Sequence, residues 1–264
     1  MQILVCLKQV PEKDSRFKID VSGVSILEED LIFETNESDQ YALEEALRLK
    51  DKLGGEVVVL SLGGDRVVKT LKNALAMGAD RSIHINDPAF RGSDAFVIAR
   101  AIARVIQKEA FDVVLTGVQS EDLSFGQTGT LLAYFLSWPH ATIVIEAEVK
   151  GKGQPARIRR ELESNIFEDV EICLPAVLTI QSGINQPRYA TLKGIMQAKK
   201  KEIREYTCAD LGLGPQEVGE VGSRVQHLKL SFPEKKKKTL LLKGSPEETA
   251  NALVEKLRKE AKVL

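Results

Sequence analysis

Short apolar runs alternate with amphipathic stretches through the first two-thirds of this 264-residue chain. Strands are predicted at 3–10, 54–64 (GGEVVVLSLGG), 82–85 and 112–116, and helices at 38–53, 66–77, 93–108 and from the 117–129 loop to Leu136. Ser38 or Asp39 and Ser93 are the predicted caps of the first and third helices. Parallel strands require helical crossovers, so this alternation predicts a Rossmann-like α/β fold with a mostly parallel, doubly wound sheet.

The pattern changes after Pro139. Runs at 141–148, 157–162, 170–173 and 176–181 predict strands without intervening helices, and therefore an antiparallel or mixed edge. Residues 184–236 are irregular and polar, without an evident core, and a short strand is predicted at 239–242. A last helix is predicted from Pro246 to about Lys262, capped by Ser245, so the sheet domain should carry an extended C-terminal arm.

Composition excludes several classes of protein. The net charge of −1 gives no overall field that would attract nucleic acid or anionic lipid. No apolar run reaches the roughly 18 residues of a membrane span, and the first residues lack the features of a signal peptide, so we expect a cytoplasmic protein. The three cysteines have no metal-ligand spacing, and Cys6 and Cys173, within apolar runs, are expected to be buried thiols.

Three strand ends carry residues suited to a nucleotide. They are Cys6–Lys8, Leu62–Gly64 and the loop Gly117–Gly129. In that loop Gly126-Gln127-Thr128-Gly129 opens a helix, whose free N–H groups and dipole favour a phosphate. The loop is neither a P-loop nor a GxGxxG fingerprint, so a structural glycine turn remains an equal alternative.

Six segments together resemble one family. They are ILVCLKQV, TNESDQYALEEALRLK, ALAMGADRSIHI, GVQSEDLSFGQTG, RRELESNIFEDVEICLPAVLTI and NQPRYATLKGIMQAKKKEI. Their wording and order are similar to those of the β subunits of electron transfer flavoproteins, from the first strand to the C-terminal region. This resemblance implies an electron carrier without substrate chemistry of its own. The chain would pair with a larger α subunit that holds most of the FAD, while the β subunit holds a structural AMP.

The resemblance also implies the residues of the AMP site. They are Cys6, Asn36, Glu37, Ser38, Asp39, Leu62, Gly63, Gly117, Gln119, Asp122, Gly126, Gln127 and Thr128. Backbone groups of Cys6 and Leu62 would contact the adenine. Many members have asparagine where Gly126 stands, and the aromatic residue that the family places near the flavin has no match at 11–13. Ser164 and Asn165 occupy signature positions usually held by glycine or an acid.

A second set of residues corresponds to the family's recognition loop. It contains Arg188, Tyr189, Leu192, Lys199 and Lys200, with Lys201 completing a basic run. Leu192 would enter a pocket of a dehydrogenase, such as an acyl-CoA dehydrogenase, and a membrane quinone oxidoreductase would accept the electrons. The chain then divides into a nucleotide-binding domain (1–183), the recognition loop (184–204) and an arm that packs on the α subunit (205–264).

Alternative functions remain open. Electron-bifurcating relatives carry a second FAD in place of AMP, although their loop resembles DGxTAQVGP rather than the sequence found here. An adenine-nucleotide hydrolase could use a related sheet, but the loop offers no evident nucleophile or metal ligands. A universal-stress nucleotide sensor is a third alternative, against which the long extension at 184–264 argues. Two charged groups are interpreted as structural: Glu161 and Glu163 should pair with nearby arginines, and the lysine run 235–238 should be solvated.

Overall fold

The computed structural model describes residues 1–233 and 239–264 and divides into two compact units, Met1–Leu228 and Lys229–Leu264. The strands are β1 (Gln2–Cys6), β2 (Gln9–Pro11), β3 (Phe33–Thr35), β4 (Glu56–Leu62), β5 (Arg81–Ile85), β6 (Val113–Gly117), β7 (His140–Glu148), β8 (Ala156–Glu161), β9 (Phe167–Ile172), β10 (Ala176–Ile180) and β11 (Ile203–Tyr206). The helices are α1 (Glu37–Leu53), α2 (Val68–Met77), α3 (Ala95–Ile106), α4 (Thr128–Leu136), α5 (Leu192–Ala198), α6 (Gly219–Gly222) and α7 (Pro246–Lys256).

The main sheet confirms the predicted fold class. Its nine strands lie in the order β11-β5-β4-β1-β6-β10-β7-β8-β9. All neighbours from β11 to β7 are parallel, and β8 and β9 add the antiparallel edge. The central strands β1, β4 and β6 are mostly apolar, as expected for strands with helices on both faces.

Alternation along β1 divides the core between the two faces of the sheet. Ile3 and Val5 pack with residues of α1 and α2, whereas Leu4 packs with residues of α3 and α4. These side chains belong to two buried clusters, one on each face of the sheet. The division is expected because successive side chains of a strand point in opposite directions. The result is a three-layer arrangement that leaves the ends of the strands open for a site.

Several predicted boundaries in the first half were wrong. The strand predicted at 3–10 ends at Cys6, since Gln9–Pro11 turns away to pair antiparallel with Phe33–Thr35 in a separate sheet. Helix α1 begins after Asn36, so Ser38 and Asp39 lie inside its first turn instead of capping it. Asp94 caps α3 by accepting a hydrogen bond from the Val97 N–H, which replaces the predicted cap Ser93.

The region 184–236 was wrongly predicted to lack a core. Strand β11 pairs in parallel with β5, and Leu211, Leu213 and Val218 are buried in the same cluster as α3. The first compact unit therefore reaches Leu228. Strand β11 has only four residues and two exposed charges, too little to show a strand pattern in the sequence.

The second unit, Lys229–Leu264, contains α7. Ser245 and Glu248 form the N-terminal capping box of this helix, which confirms the predicted cap. The α-helix ends at Lys256, and a π-helical turn follows over Leu257–Ala261. The run 239–242 is not a strand, contrary to prediction, and the lysines at 235–238 fall outside the described residues.

Two further predictions need correction. Cys173 is exposed, whereas Cys6 and Cys208 are buried. The arginines of β8 pair with acids of the neighbouring strands, because those acids stand directly opposite: Arg159 with Asp169 and Glu146, Arg160 with Glu168. They do not pair with Glu161 or Glu163. Among the described residues, no helix is long and apolar enough to span a membrane.

Candidate functional site

A cleft opens at the carboxyl ends of β1, β4 and β6. The order of the strands reverses between β1 and β6, which is where open α/β sheets bind ligands. Nine of the residues predicted for the site line this cleft: Cys6, Asn36, Asp39, Leu62, Gly117, Gln119, Gly126, Gln127 and Thr128. The other four, Glu37, Ser38, Gly63 and Asp122, do not line the cleft, but each is adjacent in sequence to a residue that does.

The buried carboxylate of Asp39 joins two strand ends. It accepts hydrogen bonds from the backbone N–H of Lys8 after β1 (2.7 Å) and of Gly117 at the end of β6 (2.9 Å). Burial raises the pKa of Asp39 to about 6, although these bonds act in the opposite direction. Gly117 must be a glycine because an added Cβ would lie 2.2 Å from the Ser38 hydroxyl oxygen. The first turn of α1 therefore fixes the floor of the cleft.

Asn36 and Ser38 hold the loop that follows β6. The Asn36 side chain donates to the Gln119 carbonyl (2.9 Å) and accepts from the Glu121 N–H (3.0 Å). The Ser38 hydroxyl donates to the same carbonyl of Gln119 at 2.8 Å. These predicted ligand residues thus position the loop through hydrogen bonds within the protein.

The polar rim of the cleft consists of ion pairs. Lys8, which lines the cleft, pairs with Asp122 at 2.7 Å and donates to the Ser120 hydroxyl at 3.2 Å. Glu37 shares Lys13 with Glu121. Asp122 and Glu37 therefore act on the shape of the rim and do not line the cleft.

Gly63 lies beside the cleft at the end of β4. Its carbonyl oxygen is 2.8 Å from the His84 Nε2, and an added Cβ would lie 2.8 Å from the side chain of Val67. Its φ of +155° also disfavours a side chain. Gly63 thus allows the close packing of the turn that carries Leu62.

Helices α1, α3 and α4 begin at the cleft, and only α3 is capped by an N-cap side chain. Asp94 at the start of α3 accepts hydrogen bonds from the N–H groups of Val97, Arg224 and Val225. No side chain among the described residues caps α4, which begins after Gln127. The N–H groups of its first turn have no partners within the helix and carry partial positive charge, so this end is suited to an anion.

The apolar walls were largely missed from the sequence. Leu60 of β4 and Ile98 and Ile102 of α3 line the cleft, and so do Val225 and His227 from a distant part of the chain. The His227 ring stacks on Phe125, with centroids 6.5 Å apart. Helix α3 was predicted, and the Asp directly before its apolar run could have indicated the cap, but no local signal marks Val225 or His227. The cleft thus combines an apolar interior with the uncapped start of α4.

The predicted docking residues lie in a second region. Tyr189 and Leu192 are 92% and 83% exposed, but Leu192 begins helix α5 and does not lie in a loop as predicted. Lys199 and Lys200 are exposed, whereas Lys201 donates its ammonium group to the carbonyl of Leu75 and is not part of a free basic patch. Burial lowers the pKa of Lys201.

Arg188, another predicted docking residue, forms ion pairs within this chain. Its guanidinium group is bound to Glu44 and Asp51 of α1.

Within the described residues no group of three or more His, Cys, Asp or Glu could hold a metal ion. The cleft offers apolar walls to a planar group and backbone N–H donors to an anion.

Comparison with known proteins identifies the family of this chain. A family model described as the electron transfer flavoprotein domain matches residues 24–211. The electron transfer flavoprotein subunit beta of Methylophilus methylotrophus is 43% identical over 257 residues, 97% of each chain. The subunits of the same name from Bacillus subtilis and Sus scrofa are each 34% identical, over 100% of this chain and 100% and 99% of theirs. The chain therefore belongs to the β-subunit branch of the electron transfer flavoprotein family.

Proposed function

We propose that this chain is the β subunit of a heterodimeric electron carrier and binds a structural AMP in the cleft. The observation that supports this most is the uncapped start of α4 beside apolar walls, at the point where the strand order reverses. Membership of the electron transfer flavoprotein family supports a larger α subunit as the partner, and this subunit would hold most of the FAD. The FAD supplies the electron transfer, and the chain has no substrate chemistry of its own.

The residues of the cleft fit an adenine nucleotide. The adenine would lie among the apolar walls formed by Leu60, Leu62 and Ile98, with backbone groups of Cys6 and Leu62 available to its edge. The phosphate would accept hydrogen bonds from the first turn of α4 and from the Thr128 hydroxyl. Gly126, at φ +62° with no close neighbour but the Val118 carbonyl, keeps that side of the phosphate open.

The remaining regions would bind protein partners. The second unit exposes apolar side chains, a pattern that marks protein interfaces, and we assign residues 205–264 to contact with the α subunit. These exposed residues are Phe232, Leu240, Leu241, Leu253, Val254, Val263 and Leu264. Segment 184–204 would dock dehydrogenases, with Leu192 as the anchor, and Lys199 and Lys200 would steer acidic partners. Acyl-CoA dehydrogenases are the proposed electron donors, and a membrane quinone oxidoreductase is the proposed acceptor. The proposed location of the carrier is the cytoplasm.

The test is purification of the complex followed by release of its nucleotides. We expect co-purification with a larger subunit and one FAD and one AMP per heterodimer. Two FAD molecules would assign the chain to the electron-bifurcating relatives. A stable, colourless monomer that hydrolyses ATP would overturn the proposal and support the hydrolase alternative.

A further inference from the structure

The exposed apolar side chains around α5 lie between two polar attachments to the protein body. We call residues 185–201 the docking segment. Tyr189, Leu192 and Met196 are 92%, 83% and 71% exposed within it, although apolar side chains of this size usually fold back onto a surface. Their exposure therefore requires that something hold the segment in place.

The first attachment is a buried carboxylate on α1. Glu44 is only 3% exposed. One of its oxygens accepts from the Arg188 backbone N–H (3.1 Å) and Nε (2.8 Å), and the other accepts from Arg188 Nη2 (3.2 Å). Burial acts to raise the pKa of Glu44, but the bonds from Arg188 and Arg48 outweigh it and the pKa is lowered. This paired arrangement fixes the direction in which the chain enters α5.

Two contacts of Asn185 extend this first attachment to α1. The Asn185 side chain donates to the Tyr41 carbonyl and to Glu45, each at 3.0 Å, so the start of the segment is bound to α1 at two places. The second attachment joins the segment to the end of α2, on which Gly194 packs directly. A Cβ at Gly194 would lie 2.1 Å from the Ala76 carbonyl oxygen, and Lys201 binds the carbonyl of Leu75 one residue earlier.

We propose that Glu44 is a positioning residue for dehydrogenase docking: through Arg188 it holds the segment so that Leu192 is presented before the partner arrives. Arg188 then acts on the segment and not on the partner. The inference rests on the proposed docking function and states how the chain produces the docking surface. A surface held in its bound form loses less conformational entropy on association, which tightens binding without a new contact.

The test compares Glu44→Gln with Arg48→Gln in the purified heterodimer. An amide has one acceptor oxygen and keeps at most one side of the Arg188 arrangement. We expect Glu44→Gln to raise the KM for the dehydrogenase roughly tenfold, the scale of ordering a few side chains on binding. Its kcat and its AMP and FAD content should be unchanged. Trypsin should cleave faster at Lys193, Lys199 and Lys200. Arg48 contacts Glu44 but not the segment, so Arg48→Gln should change neither KM nor cleavage.

A double-mutant cycle with Leu192→Ala separates this inference from the docking proposal. If Glu44 acts by presenting Leu192, Glu44→Gln should change KM less than roughly twofold in the Leu192→Ala background. Full multiplication of the two effects would overturn positioning, as would unchanged cleavage in Glu44→Gln. If Leu192→Ala leaves KM unchanged while Glu44→Gln still accelerates cleavage, the docking proposal fails and the attachment stands. Arg188→Gln breaks the same attachment from the exposed side and replaces Glu44→Gln if that variant does not fold.

Discussion

Helix α1 supports two regions of this protein, the cleft proposed to bind AMP at its first turn and the docking segment about one and a half turns farther along. At the first turn, Asp39 binds the backbone of two central strands and closes the floor of a concave site. Farther along, Glu44 binds Arg188 and holds a convex surface with exposed apolar side chains. In both regions the carboxylate accepts from backbone N–H groups, and in both a glycine permits close packing.

The difference lies in what surrounds each attachment. The cleft is formed by strands β1 and β6 in the middle of the sheet, so any displacement there moves the hydrophobic core. The docking segment lies at the edge of the body and contacts it through α1 and α2. The same local disturbance should therefore cost more in the cleft, and it should affect a different function in each region.

Gly117→Ala should have the largest effect. The new Cβ would lie 2.2 Å from the Ser38 hydroxyl oxygen and 2.9 Å from the Asp39 backbone nitrogen, so β6 or α1 must move. We expect a loss of about 3–4 kcal/mol in the free energy of unfolding, with loss of bound nucleotide. Urea unfolding and nucleotide release measure the two effects. Gly64→Ala is the control, because no atom lies within 4 Å of its Cβ; equal losses in both variants would contradict the packing argument.

Asp39→Asn should remove a pH dependence that belongs to the cleft alone. The folded pKa of about 6 lies above the usual 3.8. Between these values the folded state holds a proton that the unfolded state has released, so stability falls as pH rises through this range. The free energy of unfolding of the native protein, relative to Asp39→Asn, should fall by about 2–3 kcal/mol from pH 4 to pH 7. Urea titrations at several pH values check this, and a constant difference would show that Asp39 is already ionised at pH 4.

Gly194→Ala introduces a comparable clash in the docking segment, with a smaller expected cost. Its Cβ would lie 2.1 Å from the Ala76 carbonyl, but α5 can move away without disturbing a central strand. We expect a loss of about 1–2 kcal/mol, weaker dehydrogenase docking and unchanged AMP content. Gly214→Ala, with its nearest neighbour at 3.7 Å, is the control. A loss of AMP in Gly194→Ala would mean that the two regions unfold together, and the comparison would fail.

The cleft could be located from the sequence because its position follows from chain order. Strands that alternate with helices form a parallel sheet, and the loop between β6 and α4 then lies at the reversal of strand order. The roles of its residues were less accessible. Asp39 and Ser38 read locally as helix caps, and only the folded structure shows their bonds to Gly117 and Gln119. Such tertiary contacts override local capping preference.

The docking segment was identified by resemblance, and its attachment could not be predicted. The bond between Glu44 and Arg188 joins positions 144 residues apart, and neither residue differs in sequence context from an ordinary surface charge. Strand β11 was not predicted for a related reason, because four residues with two exposed charges give no periodic signal. Contacts made by single residues over long separations carry no pattern in one sequence.

A turn outside both regions should give the smallest effect and set the scale for them. Ser164 (φ +62°) and Asn165 (φ +56°) both adopt left-handed conformations between β8 and β9, the backbone that a two-residue hairpin turn of type I′ requires. Asparagine tolerates this conformation better than serine does. Ser164→Gly should remove a strain of about 1 kcal/mol, partly offset by the greater freedom of glycine in the unfolded chain, for a net gain of about 0.5 kcal/mol.

Asn165→Ala should act in the opposite direction, with a loss of about 1 kcal/mol, because alanine has neither the flexibility of glycine nor the local hydrogen bonding of asparagine. Thermal unfolding of both variants measures the pair. Neither β8 nor β9 contributes residues to the cleft or the docking segment, so AMP content and dehydrogenase KM should not change. A change in either function from this turn would show that stability alone, and not position on α1, controls both sites. The contrast between Gly117→Ala and Gly194→Ala would then need another explanation.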